Sequence, residues 1–99
     1  MESLEADAIR NYLREKRLKT LKALMTLNGS YNSQLSELRD ERGEISEQRM
    51  KGEIGLREFW DLRMNLEDRI QEIESKRDMV AKQIVSLVAK TKYTDEVPE

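Results

Sequence analysis

Apolar residues recur at alternating three- and four-residue spacing along two stretches of the chain. The first stretch runs through Leu21, Leu24, Asn28, Tyr31, Leu35, Leu38, Arg42, Ile45 and Arg49. The second runs through Leu56, Phe59, Arg63, Leu66, Ile70, Ile73, Arg77, Val80, Ile84 and Leu87. A heptad rhythm of this kind predicts helices that each bury a single stripe. Folded back near Gly52, the two series match layer by layer: Ile45 with Phe59, Leu38 with Leu66, Leu35 with Ile70, Tyr31 with Ile73, Leu24 with Val80 and Leu21 with Ile84. The polar interruptions match as well, Arg42 with Arg63 and Asn28 with Arg77. The expected fold is therefore all-α, a long antiparallel coiled-coil helical hairpin.

The hairpin is expected to form one domain over residues 1–92, with a helix over about 4–50, a turn at 51–55 and a second helix over 56–92. Residues 93–99 lose the period and read as a flexible acidic tail. The only proline, Pro98, lies in that tail, and good helix formers fill both arms. At the turn, Gly52 can take the left-handed C-cap conformation, cations precede it where the helix dipole favours them, and Ile54 can fold back as an apolar plug. The run Gly52-Glu53-Ile54 followed by Phe59 resembles the turn between coiled-coil helices of many unrelated proteins, serine recombinases among them. That resemblance spans the turn alone and implies no more than a turn. Asn28-Gly29-Ser30 is a second turn signal, yet the heptad passes through it unbroken. A continuous helix, kinked at most at 28–30, is expected there; the alternative is a new helix capped by Ser30 or Ser33.

Two helices leave edges, and the residues just after each d position define one of them. It reads Leu18 with Val88, Met25 with Ala81, Asn32 with Glu74, Arg39 with Glu67 and Ser46 with Trp60. The edge is apolar at the open end of the hairpin, ionic in the middle and aromatic near the tip. Leu13, Leu27, Met79 and Val85 widen the apolar end beyond a single stripe. A bare surface of that kind calls for a partner, so Leu18, Met25, Ala81 and Val88 are the expected centre of a homodimer that forms a four-helix bundle or an end-overlapped assembly. The alternative is that Leu4–Leu13 folds back over the same surface. Trp60, beside Phe59, is a candidate for contact with another protein, since tryptophan is enriched at binding hot spots. Arg42 opposite Arg63 reads as a polar layer that sets register, with their guanidiniums reaching outward.

Composition narrows the classes. Charged residues make up 38% of the chain and aromatic residues 5%, a balance suited to solvated helices rather than a deep core. With no Cys and no His, disulfides, zinc sites of the usual kind and imidazole chemistry are excluded. No phosphate-binding glycine loop is present, so an enzyme is not expected, and no cofactor or metal is implied. No apolar run approaches a membrane span and the first residues are acidic, which favours a cytoplasmic, intracellular protein.

The net charge of −2 hides a polarity. Between residues 10 and 22 there are six cations against Glu15, whereas residues 37–74 carry twelve carboxylates against seven cations. The leading functional expectation is a non-enzymatic interaction module, an adaptor, scaffold or small regulator of a larger assembly, whose protein partner the sequence leaves unidentified. The alternative is a nucleic-acid-associated factor, of viral or plasmid-borne kind, using the basic open end at residues 10–22 and 76–92, with Arg10, Arg14, Arg17 and Lys22 on phosphates. A membrane surface is the less favoured use of the same basic helix.

Overall fold

The computed structural model describes residues 2–96, with side-chain exposure from residue 4 to residue 90. It consists of two long helices, α1 over Glu2–Met50 and α2 over Leu56–Glu96, with no strand among the described residues. The chain divides into two compact units: a tip unit, Gly29–Met79, and an open-end unit made of Met1–Asn28 with Val80–Glu99.

Helix α1 continues through Asn28-Gly29-Ser30 without a break. The side chain of Gln34 donates to Ser30 Oγ at 3.2 Å, one turn back along the same helix, so Ser30 acts inside a helix rather than as a cap. Thr20 and Thr26 likewise return their hydroxyls to the carbonyls of Lys16 and Lys22, both at 3.0 Å, which satisfies residues of weak helix preference. The same continuity overturns the idea that Leu4–Leu13 folds back over the apolar surface. Those residues extend α1, and Leu4, Ile9, Tyr12 and Leu13 are exposed. At the other end α2 includes Tyr93–Glu96, which the loss of period had assigned to a tail. No helix breaker stands between Lys92 and Glu96, and Pro98 is the first that sequence offers. The remainder of the expected tail, 97–99, lies outside the described residues.

The tip unit is organised by its turn. Gly52 has φ of 76°, its amide donates to the Arg49 carbonyl at 3.1 Å, and the Glu53 amide donates to the Gln48 carbonyl at 2.9 Å. These two bonds are the paired closures of a Schellman C-cap, which satisfies carbonyls that the end of α1 would otherwise leave open. Arg49 Nη1 reaches the Ile54 carbonyl at 3.4 Å and ties the turn to the last coil of α1. Gly55 then offers its carbonyl to the Phe59 amide at 2.9 Å, starting α2 with Glu58 in its first turn, where the helix dipole favours an acid.

Beyond the turn, Leu35, Leu38, Leu66 and Ile70 form one buried cluster, with half-buried Ile45 and Ile73 packed against it. These are the middle layers of the seam, where a pair of helices gives the fullest cover. Tyr31, Arg42, Arg49, Phe59, Arg63 and Arg77 continue the stripe as half-buried positions. Leu56 departs from the pattern, being 56% exposed. It is the first residue of α2, and its register partner Arg49 is occupied with the turn. In the open-end unit Val80 is buried, and Leu21, Leu24, Asn28, Ile84 and Leu87 are half-buried.

Candidate interaction surfaces

In the tip unit the expected arginine layer becomes a three-membered ionic group. Glu67 accepts from Arg42 Nη1 at 3.0 Å and lies 3.5 Å from Arg63 Nε, so one carboxylate sits between the two like charges. The hydrogen bond from Arg42 is the main reason the Glu67 carboxyl is held below the ordinary glutamate range; partial burial opposes this, and the charges of Arg42 and Arg63 reinforce it. All three side chains remain about one-third exposed, at 35–38%. At the rim of the seam Glu67 offsets the repulsion between the two guanidiniums, leaving the group with one net positive charge.

This geometry corrects one expected pairing. Arg39 does not meet Glu67; its Nη2 lies 3.4 Å from Glu74 Oε1, about two turns further along α2. Glu67 is already held by two guanidiniums, and the long Arg39 side chain reaches diagonally to the next acid on the same edge. On the opposite edge Arg69 lies 3.9 Å from Glu41, beside a shallow groove bordered by Glu37 and Glu72.

Trp60 is 53% exposed and stacks edge-on against half-buried Phe59, with ring centroids 5.4 Å apart and planes at 63°. Phe59 anchors it from the seam side, leaving one side of the indole open. Sequence reasoning singled out Trp60 and missed its company. Leu56 and Met64 lie one turn before and one turn after it on the same strip of α2, and both are exposed, as is Met50 at the end of α1. The four-residue spacing 56, 60, 64 is a signal that could have found them. In the seam register, Gly43 and Ser46 of α1 flank this strip, and a side chain built at Gly43 would meet nothing within 4 Å. Leu56, Trp60 and Met64 thus make an exposed apolar shelf on α2.

In the open-end unit Leu18, Met25 and Val88 are 47%, 58% and 46% exposed, and Ala81 is exposed beside them. Val85, Leu13 and Leu27 add to the exposed apolar surface. Of the basic candidates, Arg10, Arg14 and Lys22 are exposed and Arg17 is half-buried; Arg10 lies 3.9 Å from Asp7. Among the described residues no group of three or more acidic, His or Cys side chains is placed to hold a metal ion, and no helix is long and apolar enough to cross a membrane. The chain matches no protein-family model, no curated protein and no solved structure.

Proposed function

We propose that the chain is a non-enzymatic protein–protein interaction module that works as a homodimer, its two copies forming a four-helix bundle, and serves as an adaptor, scaffold or small regulator of a larger assembly in the cytoplasm. The exposure of Leu18, Met25, Ala81 and Val88 carries this reading. In a chain that is 38% charged, an apolar strip left open on the helices of this unit is the part water solvates worst. Covering it with a second copy removes it from solvent. Trp60 offers a further contact of the kind that concentrates binding energy.

Sedimentation of the wild type against a Met25→Glu, Val88→Glu double variant tests the proposal. The wild type should sediment as a dimer and the variant as a monomer of equal helical content. A wild type that stays monomeric at all concentrations overturns it.

The basic helix supports a second reading, nucleic-acid association, because Arg10, Arg14 and Lys22 are displayed on an uninterrupted α1. Binding to duplex DNA or RNA should then fall steeply with salt and vanish in Arg10→Glu, Arg14→Glu, Arg17→Glu. Absence of retention at low salt eliminates this reading.

A further inference from the structure

Charge decides which surface of a second copy the open end can meet. Two open ends brought together oppose two basic stretches, residues 10–22, each with six cations and one glutamate, Arg10 being paired with Asp7 just before the stretch. An open end brought to a tip meets a stretch with twelve carboxylates and seven cations. Opposite potentials draw such surfaces together and like potentials discourage the other docking. The tip also supplies an apolar counterpart. Leu56, Trp60 and Met64 form an exposed strip on α2, and Arg57, Glu58 and Asp61 stand beside them in the same stretch of a tip that is acidic as a whole. On the open-end unit the exposed apolar residues are accompanied by exposed Lys19, Lys22 and Lys82. The two surfaces share an apolar centre and lie in stretches of opposite charge balance.

We infer that the Trp60 shelf of one copy docks on the Leu18–Met25–Ala81–Val88 surface of a second copy. Made reciprocally, two such contacts close a dimer rather than an open chain of copies. The inference rests on the homodimer reading above and specifies which surfaces meet within it. Trp60 becomes the anchor of the contact.

The chain has no cysteine, which makes directed cross-linking clean. Met25→Cys and Met64→Cys, both at exposed positions, are prepared separately, one carrying a mass label, then mixed and oxidised under native conditions. The expected product is the mixed disulfide between the two variants, in excess over either homodisulfide. Trp60 is the only tryptophan, so its emission should move to the blue as the wild type associates and stay red in Met25→Glu, Val88→Glu. Dimer dissociation should strengthen several-fold on going from low to high salt. A dimer that instead yields the Met25→Cys homodisulfide, with Trp60 emission unmoved and association tightened by salt, overturns this docking while leaving the homodimer intact. A monomer in sedimentation overturns both.

Discussion

Leu35 is the residue on which the tip unit most depends. It is 1% exposed and lies at the centre of the cluster with Leu38, Leu66 and Ile70. Replacing it with alanine deletes three carbons, which at about 0.8 kcal/mol per buried CH2 gives a transfer loss of about 2.4 kcal/mol. The cavity adds a further term. In a seam only two helices thick the neighbours can close on the gap and water can reach its sides, so the residual void is small; at about 24 cal/mol per Å³, a remnant of about 25 Å³ adds about 0.6 kcal/mol. The expected loss for Leu35→Ala is therefore about 3 kcal/mol, within the usual range for buried leucine. In a chain of this length that corresponds to a fall in melting temperature of about 12–24 °C. The assay is urea denaturation followed by helical circular dichroism, at one fixed protein concentration because association shifts apparent stability. Leu62→Ala, at an exposed position outside the seam, is the control and should cost less than about 0.5 kcal/mol. Equal losses for the two variants, or a loss below about 1 kcal/mol at Leu35, would refute the placement of the seam.

Three further outcomes follow from local geometry. Gly52→Ala should destabilise by about 1 kcal/mol, because φ of 76° is strained for a residue with a Cβ while the space around it is open; full wild-type stability in thermal melts would show that the turn does not need this cap. Gly29→Ala should do the opposite and raise stability by up to about 1 kcal/mol, since that glycine lies inside α1 with nothing near its missing side chain; a lowered melting temperature would mean that something packs on it. Glu67→Gln should destabilise modestly at neutral pH, the exposure of the group screening most of its charge. Because folding lowers the Glu67 pKa, its contribution is present above the ordinary glutamate range, about 4.3, and disappears as pH falls through the lowered value. The gap in melting temperature between wild type and Glu67→Gln should accordingly close in acid, and a gap that persists or widens there would contradict the ion-pair account.

The seam was legible in sequence because it is a repeated constraint: each buried position is confirmed by others three, four and seven residues away. Leu35, Leu38, Leu66 and Ile70 needed only that rhythm. The turn was legible for a different reason, since a single glycine with a special φ closes α1 and the Schellman bonds follow from it. Edges have neither safeguard. Arg39 and Glu67 stand at matched heptad positions, yet Arg39 goes to Glu74 because its side chain is long enough to choose among acids and Glu67 already serves Arg42 and Arg63. Matching positions fixes where backbones meet but not where flexible charged ends settle. Leu56 was misplaced on the same ground: it keeps the period but stands at the end of the stripe, where no further layer covers it. Freed from the seam, it joins Trp60 and Met64 as part of the shelf. The residue that the periodic reading placed wrongly is thus one that the proposed contact between copies uses, and a helix pair with so narrow a core has only its edges left for recognition. A substitution series can separate the two roles, because Leu35→Ala should lower stability whether or not the copies associate, whereas Met64→Glu should weaken association and leave the helical content unchanged.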